Sequence, residues 1–437
     1  MGNALLHRIR WQAWVPLALV CSVSLAQDDQ HIVYKLQPRD TLLSLVSQYM
    51  QGPDALQQIV QYNSLRNANL VPVGYQLKIP RQLIRYTPSE ATVHRLNCRN
   101  ISRIENDNSV PLQTGDKLLE GHIVRIPAGC QLAVVLEDQS VMRMMSGAMI
   151  RFKVLRRNML EHSPEVRVEL MDGRMEVDVP RKRQAGDAPF EVRTPNSVAG
   201  VRGTEFRVAF DARQRNSQVE VVTGVVSAAG QADRQAQRAQ AGQGVPIQPN
   251  GQALPVENFL DAPRYKAATK AASGDAWELQ FSAPEQARQL LVRESEDASF
   301  VFFQPDRKLD RPHYALADLG STAKFQQWSS VSATGIVGHS AYYGFCKGYK
   351  RKEVLRCNIH FNMTGLEKPR MRLQKTESSG QTTLILDQEV QIGANDQLVF
   401  RGLPSGRYSW QIEYALGPER RASQRGEFEL VAIPAEP

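Results

Sequence analysis

Apolar residues recur along this chain with two different spacings, and the change between them divides it into regions. Between His31 and Pro80, Ile32, Tyr34 and Leu36 alternate as in a half-buried strand. Leu42, Leu45, Val46 and Tyr49 then fall on one helical face, with Asp40 or Thr41 placed to cap that helix. Gly52-Pro53-Asp54 breaks it and starts a second helix, in which Leu56, Ile59 and Val60 face inward and which Asn63-Ser64 ends. Pro72-Val73-Gly74 turns into a last strand where Tyr75, Leu77 and Ile79 alternate. The pattern predicts a small βααβ unit over residues 31–80, near the minimum for a core of its own.

From Tyr86 the spacing is two. Val166, Val168 and Leu170, then Met175, Val177 and Val179, read as two strands joined through a hairpin or turn at Asp172-Gly173. Phe190 and Val192, then Phe206, Val208 and Phe210, then Val219, Val221 and Val225 continue the alternation, with glycines between. Residues 86–226 are therefore expected to form a β-rich domain of short stacked or coiled strands. Ser227 to Asn250 holds Ala, Gln, Gly and Arg without apolar periodicity, so 227–276 is expected as a linker. Strands return near Trp277. The turn Leu403-Pro404-Ser405-Gly406 ahead of Tyr408, Trp410 and Ile412 resembles those of immunoglobulin-like and fibronectin-like sandwiches, which implies one or two β-sandwich modules over 277–431. The expected fold class is multidomain and mainly β.

Composition changes this picture little: 437 residues, 42% hydrophobic and 22% charged, is a globular chain of about three domains. The first 26 residues alter it more. His7, Arg8 and Arg10 precede an apolar run from Ala13 to Leu25 and a small-x-small site at Ser24-Leu25-Ala26, which reads as a secretory signal peptide over 1–26. The run is shorter than the roughly 20 residues of a membrane span, and no later segment is long and apolar enough. A lipoprotein signal at Cys21 is disfavoured by Leu19-Val20 ahead of it. Net charge is +8, from 53 basic and 45 acidic residues, which suits an anionic wall or membrane face more than nucleic acid in an exported protein. Cys98, Cys130, Cys346 and Cys357 allow three disulfide pairings; keeping each pair inside one module selects Cys98–Cys130 and Cys346–Cys357. His94 and His122 near the first pair give a rival metal reading, but no CxxC or HxxxH spacing supports it, and neither metal nor cofactor is expected.

Catalytic motifs are lacking in the sequence. The histidines are scattered, no nucleophile motif accompanies them, and there is no phosphate-binding glycine loop. Met142, Met144, Met145 and Met149 read as core packing, and Arg181-Lys182-Arg183 as a solvated loop.

Two stretches resemble known families. HIVYKLQPRDTLLSLVSQYMQGPDALQQIVQYNSLRNANLVPVGYQLKIP, His31 to Pro80, resembles a LysM module, the family that grips N-acetylglucosamine-containing glycans such as peptidoglycan. The resemblance implies a shallow groove between the turns 38–42 and 63–72. Asp40, Thr41 and Leu42 match the family's Asp-Thr-Leu, and Asn63, Pro72 and Gly74 its later motif. Free backbone groups there would pair with the acetamido group and hydroxyls, while Leu42, Leu70 and Val71 pack on the sugar. Asp40 also reads as a plain helix cap. Arg39 stands where the family has glycine, which reshapes or narrows the groove if the turn needs φ > 0. Second, TPNSVAGVRGTEF, Thr194 to Phe206, resembles the core of a FecR domain through Thr194, Pro195, Val201, Arg202, Gly203, Thr204 and Phe206. In FecR-type regulators this domain lies in the periplasm and relays a signal from an outer-membrane receptor through a membrane span. Here a leader and a LysM-like unit stand in front instead, so that role does not transfer. Structural or partner-binding roles are expected for these residues, among them a tight turn at Gly203 and an ion pair of Arg202 with Glu191 or Glu205.

Together these readings imply a non-enzymatic periplasmic protein of a Gram-negative envelope that binds peptidoglycan and presents its other domains to envelope proteins. The alternatives are a sensor or regulator in envelope signalling and, below it, a peptidoglycan hydrolase.

Overall fold

The computed structural model describes residues 31–105, 107–180, 190–201, 203–233, 235–272, 276–317, 319–347, 357–392, 396–415 and 421–433, except the side chains of 421 and 422. The expected leader and Arg181-Lys182-Arg183 lie outside these residues.

In the N-terminal unit the strand His31–Lys35 pairs antiparallel with Gln76–Pro80, and the helices Leu42–Tyr49 and Ala55–Tyr62 lie between them in the chain. Thr41, not Asp40, caps the first helix, through a reciprocal capping box with Ser44. Ile32, Leu45, Ile59, Leu77 and Ile79 close the core. This unit is tied to the body that comes after it in the chain: Arg85 donates its backbone N–H to Tyr49 at 2.7 Å, and Tyr86 and Leu160 pack against its core.

The middle body is built from two ladders around one core, antiparallel except where Pro164–Asp178 runs parallel to Phe190–Thr194. One runs from Asn108–Pro111 to Gln237–Gln240, the other from Lys117–Leu118 to Glu257–Asn258. They meet in the long strand Pro164–Asp178. Its first half pairs with Met149–Asn158, and its second half with Val141–Met144 and Glu205–Asp211. Asp172-Gly173 is thus a bend within one strand, not the expected hairpin or turn between two. Gly173 sits at φ +87, and a Cβ there would lie 2.7 Å from the Cα of Ala148, so only glycine lets the two ladders come this close.

The expected linker is also corrected. Val225–Gly230, Gln237–Gln240 and Gln243–Ile247 are strands of this body, and Arg264–Lys270 begins the next sheet. Ala228, Ala239, Val245 and Ile247 are buried in the core. Two of these four are alanine, so the alternation carries little hydrophobic contrast in the sequence.

The C-terminal body is organised on an eight-stranded sheet. Its two halves are joined by Val337–Lys347 running parallel to the end of Arg421–Ile433. A three-stranded sheet covers one half around Trp277, Phe281 and Trp328; a two-stranded sheet, Asn358–Asn362 with Gln397–Arg401, covers the other around Phe361, Tyr408 and Phe428. There are two sandwich cores on one shared sheet. The turn before Gly406–Ala415 is locked by the Tyr408 hydroxyl, which donates to the carbonyl of Pro404 at 2.6 Å. The disulfides are Cys98–Cys130 and Cys346–Cys357, with Cα separations of 5.6 and 5.9 Å.

Middle and C-terminal bodies are docked. Gln131 exchanges two hydrogen bonds with the backbone of Phe303, at 2.8 and 3.2 Å. Glu220 accepts from the N–H of Val337 at 2.8 Å, and Arg207 donates to its carbonyl at 2.7 Å.

Candidate functional site

The N-terminal unit brings its two predicted turns side by side. Gly74 donates its N–H to Leu36 at 2.8 Å, and Leu36 donates to Tyr75 at 3.0 Å, so the turn after the first strand and the turn before the last share a backbone seam. Gly74 has φ +86. Arg39, at a position suited to glycine if φ is positive, takes φ +78 regardless, so the turn keeps its backbone and presents an arginine. Asp40 closes that turn by accepting from the N–H of Gln37 at 2.7 Å and from the Tyr34 hydroxyl at 3.0 Å. Burial and then the Asp40 carboxylate push the Tyr34 phenol up to about 12.

Three expected contact residues have other duties. Leu42 is 3% exposed and belongs to the core, while its neighbour Leu43 is 66% exposed. The Asn63 side chain is fully engaged: its NH₂ donates to Ile59 and Lys78 carbonyls at 2.9 and 2.7 Å, and its oxygen accepts from Lys78 N–H at 2.7 Å. Thr41 is the helix cap. On the surface Leu70 stands 77% exposed, with Pro72 exposed beside it, Val71 half-buried, and Val73, which no sequence motif marks, 63% exposed. Apolar side chains fixed this far out of the core are the unit's available binding surface.

The expected FecR-motif residues build the middle body. Pro195 and Asn196 form a two-residue turn between Thr194 and Ser197, which face each other in register. The buried Thr194 hydroxyl lies 2.8 Å from that of Ser217. Val201 and Phe206 are core residues, and Gly203 has φ +60. Thr204 donates to the carbonyl of Val225 at 3.0 Å. Arg202 lies outside the described residues; its expected partner Glu191 is engaged by Arg167, at 3.1 Å, and by Arg193.

A cleft of ≈ 1210 Å³ opens between the middle and C-terminal bodies. Much of its middle-body wall is a single cross-strand row. Arg95 stands opposite Ala133, Ala133 opposite Arg143, Arg143 opposite Glu176, Glu176 opposite Arg207, and Arg207 opposite Glu220. Charges alternate along it, as directly opposed side chains require. Glu176 also reaches across to Arg293 at 2.9 Å, and Arg293 is held by Asp306 at 2.8 Å. Burial alone would raise Glu176; the guanidiniums of Arg293, Arg143 and Arg207 outweigh it and hold the carboxyl at about 2. Glu220, 1% exposed, is bound by Arg207 at 2.8 Å and Arg174 at 3.0 Å.

Arg95 reaches this wall through a bulge. Val93 pairs with Val134 and Arg95 with Ala133, leaving His94 as an extra residue. Val93 and Val134 face the core, so regular alternation would send Arg95 inward with them. The extra residue reverses the phase and turns Arg95 toward the cleft. His94 stacks on Tyr414 of the other body, rings 6.0 Å apart and 10° from parallel. Burial, then the charges of Arg95 and Arg143, pull His94 down to about 4, so it is neutral at pH 7. None of this was legible in the sequence, where the stretch from Ala91 to Leu96 carries no motif.

Residues 122–227 match the family model described as FecR protein, which includes the whole run from Thr194 to Phe206. That segment is a FecR domain, and the folded body that contains it extends beyond the match on both sides. No curated protein matches the chain. Among solved structures it is similar to two crystal structures of a candidate anti-sigma factor from Parabacteroides distasonis, at 24% and 23% identity, TM-score 0.26 in each, covering 31% of this chain. The chain spans 59% of the length of those structures. The extracellular domain of a candidate hybrid two-component system from B. thetaiotaomicron aligns at 9% identity and TM-score 0.15, over 83% of this chain and 61% of that one. Two disulfides place the chain in an oxidising compartment, so it is exported. Among the described residues no helix is long and apolar enough to cross a membrane.

Proposed function

We propose that this is a non-enzymatic protein of the Gram-negative periplasm that holds N-acetylglucosamine-containing glycan through its N-terminal unit. Its FecR-bearing body then takes part in envelope signalling through protein partners. The observation that carries the glycan half is the seam of Leu36, Gly74 and Tyr75, which fixes two turns together while Leu70 and Val73 stand exposed ahead of Gly74 in the chain. Backbone groups and apolar side chains in that arrangement suit an acetylated amino sugar, whose methyl and ring faces need apolar contact and whose amide needs a hydrogen-bonding partner. The resemblance of residues 31–80 to LysM modules supports the same ligand. The signalling half rests on the FecR match over residues 122–227. A weak grip on the wall raises the local concentration of the rest of the chain for a second contact, which suits an adaptor or sensor.

Cosedimentation of the full chain with purified sacculi tests the tether. The wild-type protein is expected in the pellet, and a Leu70→Asp/Val73→Asp variant, altered only at exposed positions, in the supernatant. Equal distribution of the two proteins overturns the tether.

A further inference from the structure

We propose that the cleft between the middle and C-terminal bodies binds a peptide by its free terminal carboxylate, with Arg95 as the receiving group. This goes beyond the glycan reading and uses none of its residues.

Arg95 is 2% exposed, and none of its guanidinium nitrogens has a hydrogen-bond partner among the described residues. Tyr414 and Asp297 act on it electrostatically, but no acceptor among those residues reaches the guanidinium, and a buried charge without one is costly. The row it belongs to shows what is missing. Arg143, Arg207 and Glu176 each stand next to an opposite charge, whereas the position facing Arg95 is held by Ala133. The bulge at His94 turns the arginine out of the core and into this gap.

The rest of the cleft sets the ligand class. Four carboxyl groups line it, Glu176, Asp178, Glu205 and Glu427, and of its six arginines Arg207, Arg293 and Arg372 are already held by Glu220, by Glu176 with Asp306, and by Asp387. Burial, then the neighbouring Asp178, push Glu205 up although Arg143 and Arg207 oppose the shift. One carboxylate matches one guanidinium fork in charge and geometry. The Trp410 indole N–H is likewise buried and unpaired among the described residues and lines the same cleft, as does the His94 ring with its unpaired Nε2. These groups suit the backbone amides behind a terminal carboxylate. A volume of ≈ 1210 Å³ accommodates several residues rather than a lone small acid.

Titration calorimetry on the full chain tests this, with tri-alanine, tri-alanine amide, acetate and inorganic phosphate as probes. Tri-alanine is expected to bind about tenfold or more tightly than its amide, because the amide cannot meet the guanidinium with a charge. Acetate and phosphate are expected to bind more weakly than tri-alanine. Arg95→Met should abolish the preference for the free acid while leaving the melting temperature equal or higher. A second variant, Ala133→Glu, places a carboxylate opposite Arg95; it should raise the melting temperature and block tri-alanine. Equal binding of acid and amide, tighter binding of phosphate or acetate, no binding of any probe, or full tri-alanine binding by either variant overturns the proposal.

Discussion

Arg39 holds a left-handed backbone, φ +78, in the turn that faces the proposed glycan surface. An L residue with a side chain is strained there, so Arg39→Gly should raise the stability of the N-terminal unit by about 1 kcal/mol. Calorimetric melting of the two proteins measures this directly. Asn63 acts in the opposite sense. Its amide joins the end of the second helix to the last strand through three hydrogen bonds, and Asn63→Ala leaves both Lys78 backbone groups without their partner. A loss of about 2 kcal/mol in urea unfolding is expected. Both residues show where reading by type runs out. A polar residue in a motif looks the same in sequence whether it faces a ligand or its own backbone. Leu42 and Leu43 are adjacent leucines, and only the helix phase fixed by the Thr41 cap sends the first inward.

The departures from simple alternation decide how the β elements work together. Gly173 bends one strand so that it serves two ladders, and Gly173→Ala forces a Cβ to within 2.7 Å of the Ala148 backbone at φ +87. The expected cost is about 3 kcal/mol, read as a shift of the unfolding midpoint. The bulge at His94 has a signature in acid. The folded protein holds this imidazole at about 4, below its ordinary value of 6.5, so the unfolded chain binds the proton first. Stability is therefore complete above pH 6.5 and is lost as pH falls through the interval down to about 4. His94→Gln should flatten that arm of the stability profile, whereas an unchanged slope would show that the ring is not buried as described. Strand content and the inward residues of the long strands were readable from period-two spacing. A bulge is not, because one extra residue shifts the phase without changing composition. The strands of Ser227 to Asn250 were hidden for a different reason, two of their four core residues being alanine, Ala228 and Ala239, beside Val245 and Ile247.

At the scale of the whole molecule, the FecR-bearing body and the double sandwich are held together by buried charge. Glu176 binds Arg293 across the junction, and its carboxyl, held at about 2 against an ordinary 4.5, stabilises the fold above pH 4.5 and ceases to do so as pH falls toward 2. Glu176→Gln leaves Arg293 with Asp306 alone and should cost about 2 kcal/mol, with the loss confined to pH values where the native carboxylate is ionised. A small α/β unit followed by a mainly β chain was legible in the spacing, and the FecR segment in its motif from Thr194 to Phe206. The junction was not, since its partners stand 117 residues apart in the chain and share no local pattern. Recognition of an acetylated amino sugar by the N-terminal unit is what would tether the whole molecule to the wall. Titration of the full chain with tetra-N-acetylchitotetraose, monitored by calorimetry, tests that most directly. Saturable binding that Leu70→Asp/Val73→Asp abolishes is the predicted result; no heat of binding, or the same binding by the variant, contradicts it.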